Sequence, residues 1–375
     1  MTSFDFRPRT RVVFEEGGFK RLGEIARELG GTRCLLVADP GMVEEGYASE
    51  ALRSLKARRM KVEVFHDFAA NPTSAMVEAG AEVGRAFAAD RGAPNLIVAL
   101  GGGSSLDCAK GINFVLSNGG SIRDYWGYGK AKQPMLPMIA VPTTAGTGSE
   151  AQSYATITES GSGTKMACGD AKAAFLVALL DPKLTLSQPQ ELTAAAGYDV
   201  LAHALETLVT TRRTELSECF SRSSWRLIND GLERVLADPN DLDARGEVLL
   251  GAHFGGLAIE NSNLGAAHAL AYAITGNFGT PHGVAIALVL RHVVAWNARN
   301  TAVEARYEEL FRADLFDRLR RLQEVAGLPA SLRDAGIGEE SLGRIAEDAS
   351  AQWVAKFNPR PLDSDNALEI LQEAF

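Results

Sequence analysis

The chain has 375 residues, 46% hydrophobic and 23% charged, which is the make-up of a globular protein long enough for two domains that each bury a core. Its 47 acidic residues outnumber 38 Lys and Arg, a formal charge of −9 with no local basic block, and this excludes nucleic acid as a partner. No apolar run is long enough to span a bilayer, and the opening MTSFDFRPRT lacks the apolar stretch of a signal peptide. Cys34, Cys108, Cys168 and Cys219 form no CxxC pair, so they read as small buried residues of a cytoplasmic protein.

From the N-terminus the pattern alternates strand and helix. RVVFEE predicts a short strand, FKRLGEIARELG an amphipathic helix, and RCLLVAD a nearly all-apolar strand of the kind buried on both faces of a parallel sheet. KVEVFHDF gives a third strand, SAMVEAGAEVGRAFAAD a helix, and NLIVALGGGSS a fourth strand running into glycines. Such alternation implies a doubly wound α/β domain with ligands at the carboxyl ends of its strands.

The segment GGGSSLDCAKG sits at one such end. Gly101, Gly102 and Gly103 permit close backbone approach, the helix that follows offers unpaired amides, and Ser104 and Ser105 add hydroxyls, which together suit a pyrophosphate. A tight turn without a ligand is the competing reading, since the usual G-x-G-x-x-G after the first strand is absent. After a fifth strand in MLPMIAVP, the loop TTAGTGSE supplies Thr143, Thr144, Thr147 and Ser149, either for a ribose or phosphate or as a hydroxyl-rich turn. Asp39, closing the second strand, is placed to accept from an adenosine ribose and repel a 2′-phosphate, or simply to start the turn DPGM.

Beyond LLDPKLTLSQPQ the strand signal stops, and we place a domain boundary there: residues 1–183 α/β, residues 184–375 all-helical. In AGYDVLAHALE, Asp199 and His203 stand four residues apart on one helix face. His268 in NLGAAHALAY and His282 in TPHGVAIALVL also fall in Ala- and Gly-rich apolar segments, where a polar group is costly unless paired. One carboxylate and three imidazoles suit Fe(II) or Zn(II) with room for an exchangeable ligand. His66, His253 and His292 are assigned structural places. The run VEARYEELFRADLFDRLRRLQEVAG reads as helix with a solvated charged face.

Taken in order, GGGSSLDCAK, PTTAGTGSE, GYDVLAHALE, the His268 segment, TPHG and NPRP resemble the iron-containing (group III) alcohol dehydrogenases over nearly the whole chain. The resemblance implies a dinucleotide-binding α/β domain of the dehydroquinate synthase-like kind, an all-helical metal-binding domain, and a catalytic ion in the cleft between them. It implies Asp199, His203, His268 and His282 as metal ligands. Cofactor contacts would come from Asp39, Asn71, Gly102, Gly103, Ser104, Asp107, Thr143, Thr144, Thr147, Tyr154, Lys165 and Leu184, with Asp39 favouring NAD over NADP. A homodimer or larger homo-oligomer is also implied. Many members carry a proton-relaying histidine four residues after the third ligand; here that place is Tyr272, which either carries the proton or walls the pocket.

The expected activity is metal-assisted hydride transfer between a nicotinamide and a small alcohol or aldehyde. Gln152, Tyr154, Phe254, Ile259 and Leu264 predict a mixed, moderately apolar substrate cavity. The competing readings are a polyol or polyol-phosphate dehydrogenase of the same superfamily, a metal-dependent lyase or hydrolase with a non-redox nucleotide site, and a nucleotide-sensing binding protein.

Overall fold

The structure is a computed structural model that describes residues 3–311 and 314–375. The chain divides into two compact units, one comprising Phe6–Thr144 with Gly148–Ser187, the other built mainly from Gln188–Phe375 together with Ala145–Thr147.

The first unit is built on six parallel strands: β1 (Arg11–Phe14), β2 (Arg33–Ala38), β3 (Lys61–Phe65), β4 (Leu96–Gly101), β6 (Met138–Pro142) and β9 (Val177–Leu180), in spatial order β1-β9-β6-β4-β2-β3. Residues of β2 and β4 alternate between two cores. Leu35, Val37, Ile97 and Ala99 pack on one face, and Cys34, Leu36, Leu96, Val98 and Leu100 on the other, so each strand reads as a continuous apolar run. From β2 the chain moves outward to β3, then returns past β2 to β4. The order therefore reverses between β2 and β4, and a ligand crevice is expected at their carboxyl ends. Asp39 follows β2 there and the glycine triplet begins at the last residue of β4, with Ala38 and Leu100 in register.

Three further strands lie outside the alternation seen in the sequence. β5 (Gly127–Tyr128), β7 (Tyr154–Thr158) and β8 (Lys165–Gly169) form a small mixed sheet in the order β5-β8-β7, with β5 parallel and β7 antiparallel to β8. Segments this short carry too little periodicity to be distinguished from turns.

The helical unit is organised around the helix Gln190–Val209, which is buried along almost its whole length from Thr193 on. A helix apolar on all sides has to be enclosed by others, and here the neighbours are Glu215–Ala237, Leu242–Glu260 and His282–Ala298. Gly197 permits one of these contacts, since a Cβ there would sit 2.4 Å from Leu232 Cδ1. The segment read as one long charged helix is two, Thr301–Leu310 and Leu315–Val325. Asp314 caps the second by accepting from the Asp317 amide, and Arg312 and Ala313 lie outside the described residues. Cys34, Cys108 and Cys168 are buried as expected; Cys219 is exposed, on the outer face of Glu215–Ala237.

Candidate active site

The glycine loop is built by mutual contacts. Gly101 has φ +138°, and a Cβ there would fall 2.3 Å from Ser105 Oγ and 2.4 Å from Asp39 Oδ2, so only glycine lets the loop pass. The Ser105 hydroxyl donates to Asp39 Oδ2 at 2.8 Å while the Met42 amide donates to Asp39 Oδ1. The carboxylate is thereby fixed at the switch point while still partly open to solvent. The Thr143 amide donates to Gly101 O, bringing the threonine loop alongside, with Thr144 packed where a Cβ on Gly102 would be. The helix Gly103–Asn118 starts from Gly102 with no side-chain cap, leaving its first amides available.

Asn71 joins the group in a left-handed conformation (φ 55°), its amide donating to Ser104 Oγ at 3.1 Å and its Oδ1 accepting from Lys165 Nζ at 2.8 Å. Partial burial pulls the Lys165 ammonium below the usual lysine range, against the pull of Asp107. Other expected contacts are differently placed. Both carboxylate oxygens of Asp107 are taken within the protein, by Ser149 Oγ and the Thr156 amide. Leu184 is buried in a core cluster of the sheet. Thr147 is exposed and groups with the helical unit, and Tyr154 packs beside Tyr128 in the small sheet. The sequence reading passed over Lys110, which is fully buried and donates to Ser149 O and Ser149 Oγ, both at 2.8 Å, pinning the threonine loop to the glycine-loop helix.

In the helical unit Asp199, His268 and His282 bring ligand atoms within 4.8 Å of one another. His203 lies beside them: the Nε2 atoms of His203, His268 and His282 stand 3.4, 3.3 and 3.6 Å from the same atom, Asp199 Oδ1. Local packing produces this convergence. A Cβ on Gly283 would fall 2.2 Å from Ala195 O, so glycine lets the start of His282–Ala298 close onto the Asp199 helix. Gly255 likewise leaves room for His203, whose ring stacks 5.0 Å from that of His268.

Two of these atoms, Asp199 Oδ1 and His268 Nε2, are buried and make no hydrogen bond among the described residues. Buried polar atoms left without partners are costly. Burial works against charge on Asp199, but His203, His282 and His268 outweigh it and hold the carboxyl well below the usual carboxylate range. Four donors about 2.0–2.1 Å from one ion lie roughly 3.3 Å apart in a tetrahedron. The three separations from Asp199 Oδ1 match that spacing, and the ligand atoms of Asp199, His268 and His282 all lie within 4.8 Å of one another, so this trio fits a divalent cation with His203 beside it.

Glu206 completes the cluster and was not singled out from the sequence, although its place in D-x-x-x-H-x-x-E puts it on the face shared by Asp199 and His203. It is buried, its Oε2 lies 2.5 Å from His268 Nδ1, and its Oε1 accepts from the Ala267 amide at 2.6 Å. In a neutral His268 a carboxylate on Nδ1 would hold the proton there and leave Nε2 as the lone-pair atom on the side of Asp199. Burial opposes a cationic His268, yet Glu206 and Asp199 push its pKa up to about 9. Tyr272, one turn along the same helix, lies parallel to His282 (5.3 Å, 19°) and edge-on to His268. His253 and His292 are buried away from this group and His66 is exposed.

A doubly wound sheet with a glycine loop at its switch point and a helical unit with a carboxylate and imidazole cluster define a nucleotide- and metal-dependent class of enzyme. Residues 8–182 match the family model described as iron-containing alcohol dehydrogenase, and residues 193–375 match the C-terminal model of that family. The chain is 30% identical to the NAD-dependent methanol dehydrogenase of Bacillus methanolicus, with all of both chains covered. Among solved structures it is similar to a 1,3-propanediol oxidoreductase (TM-score 0.94, 30% identity, all of both chains). It is also similar to the sulfoacetaldehyde reductase of Bifidobacterium kashiwanohense in complex with NAD+ (TM-score 0.89, 26% identity, 100% and 99% of the two chains). The chain belongs to the iron-containing alcohol dehydrogenase family and is an oxidoreductase with its α/β and helical architecture. No helix among the described residues is long and apolar enough to cross a membrane.

Proposed function

We propose that the protein interconverts a small alcohol and its aldehyde with NAD(H), using one Fe(II) or Zn(II) held by Asp199, His203, His268 and His282. The observation that carries this is three imidazole Nε2 atoms grouped 3.3–3.6 Å from one buried carboxylate oxygen, an arrangement with two unpartnered polar atoms at its centre. Bound to this set, a divalent cation supplies polarisation of the substrate oxygen, and NAD(H) supplies the hydride acceptor or donor. Glu206 keeps the His268 proton on Nδ1. Asp199 stays ionised and offsets the positive charge. Tyr272 walls His282, the most accessible of the four, and offers its Oη as a carrier for the proton leaving the alcohol.

For the nucleotide we assign the pyrophosphate to the Gly102–Gly103–Ser104 turn with Asn71, Thr143, Thr144 and Lys165 around it, and the adenosine ribose to Asp39. Asp107, Tyr154 and Leu184 support that site by packing. The fixed Asp39 carboxylate favours NAD over NADP by charge repulsion. We further assign the protein to the cytoplasm as a homodimer. Three buried thiols without disulfides fit a reducing compartment, and edge strand β1 leaves Val12 and Phe14, 40% and 45% exposed, for a second copy to cover.

The test is the nicotinamide absorbance of protein purified without chelator, mixed with NAD and a panel of short primary alcohols. NADH should form, metal extraction should abolish its formation, and Fe(II) or Zn(II) should restore it. Full turnover by metal-free protein would overturn the proposal.

A further inference from the structure

The run FNPRP near the C-terminus takes no part in the site as described, yet its hydrogen bonds reach the body or the end of every helix that carries a proposed ligand. Phe357 O accepts from Thr210 Oγ1 at 3.0 Å and from the Thr211 amide at 2.8 Å, where the Asp199 and His203 helix ends. Asn358 Oδ1 accepts from the Ala266 amide at 3.2 Å, at the first turn of the His268 helix. The Asn358 and Asn297 amides bond each other reciprocally, Asn358 Nδ2 to Asn297 Oδ1 at 2.8 Å and Asn297 Nδ2 to Asn358 Oδ1 at 3.1 Å, on the helix that begins with His282. Asn358 Nδ2 also donates to Arg360 O at 2.9 Å. Arg360 lies 3.7 Å over the Trp296 ring and donates to Trp296 O, fastening the segment to that same helix.

An asparagine amide has two donor hydrogens and two acceptor lone pairs. All four are used by Asn358, which is 4% exposed. Its approach is also tightly fitted: a Cβ on Gly265 would fall 2.8 Å from Asn358 Oδ1 and 3.2 Å from Glu206 Oε1. Glycine at 265 thus lets two acceptors meet the start of the His268 helix together, Asn358 on Ala266 N and Glu206 on Ala267 N.

We infer that residues 357–360, with Asn358 at their centre, are a positioning element that sets the three ligand-bearing helices at the spacing a single cation requires. The inference rests on the reading of Asp199, His203, His268 and His282 as the ligand set. Asn358 touches none of the four, and it acts by fixing the backbone from which they project.

The experiment is a Co(II) titration of metal-stripped full-length protein, read by the visible absorption of the bound ion, on wild type, N358A, H268A and L371A. Leu371 is a fully buried core residue of the last helix, outside residues 357–360, and its truncation should lower the melting temperature. N358A should bind Co(II) about tenfold more weakly, in the range of coupling carried through packed side chains and backbone, with an altered spectrum, while L371A keeps wild-type affinity. Wild-type affinity and spectrum in N358A, or equal weakening in L371A, would overturn the inference. Absence of binding in wild type, or undiminished binding in H268A, would instead remove the ligand assignment beneath it. Should N358A not fold, Asn297→Ala strips the reciprocal amide and is expected to give the same weakening; wild-type affinity there overturns the inference equally.

Discussion

The glycine loop and the imidazole cluster are opposite ways of preparing a site. Around Gly101 the side chains satisfy one another, Ser105 with Asp39 and Lys165 with Asn71, and what remains available is backbone amides and shape. Around Asp199 the side chains are buried and left incomplete, with Oδ1 and the His268 Nε2 unpartnered. The loop's side chains are satisfied as they stand and it would recognise by fit, whereas the cluster carries a burial of polar atoms that a bound cation would relieve. Substitutions in the two regions should therefore fail differently.

The largest effect is expected at Glu206. E206Q retains an acceptor for the Ala267 amide but removes the charge on His268 Nδ1, and metal affinity should fall about 10- to 100-fold; isothermal titration of stripped protein measures it, and unchanged affinity would mean that His268 needs no outer carboxylate. Next is Tyr272→Phe, which keeps the ring against His282 and deletes the hydroxyl. We expect kcat to drop about tenfold with metal affinity intact, and an unchanged kcat would leave Tyr272 as a wall only. On the nucleotide side, Asp39→Ala should raise the NADP-to-NAD ratio of kcat/KM about fivefold, in keeping with roughly 1 kcal/mol for a partly exposed charge, without altering the metal titration. A loss of metal from D39A would erase the distinction between the regions.

The smallest effect concerns Lys165. Only the ammonium form attracts a pyrophosphate, and burial lowers its pKa. NAD affinity should therefore decline as pH rises, starting below the ordinary lysine range, by about threefold. Lys165→Arg, charged throughout, should flatten the profile; an identical slope in K165R would assign the titration elsewhere.

The same contrast explains what could be read in advance. The Asp199 and His203 pair was legible because helical spacing alone puts both on one face, and the apolar strands were legible because a parallel sheet buries both sides. Glu206 obeys the same spacing and was available to the same reasoning. The positioning element at 357–360 was not: the contact from Asn358 to Ala266 joins positions that no local period connects, and Asn358 carries no charge or metal-binding chemistry to draw notice. The small β5-β8-β7 sheet stayed hidden because its strands are short and half-exposed. The side chains of Asp107 and Leu184, expected at the cofactor from motif position, are engaged inside the protein, an arrangement that only the fold decides.

The four proposed donors sit on three separate helices, so a cation held there would have a second duty. An ion gripped by all three stitches distant stretches of chain into one body, and whatever binds the folded form alone raises resistance to heat by mass action. The yield of intact enzyme from a cell would then follow the supply of metal during growth, quite apart from how fast each loaded molecule turns over.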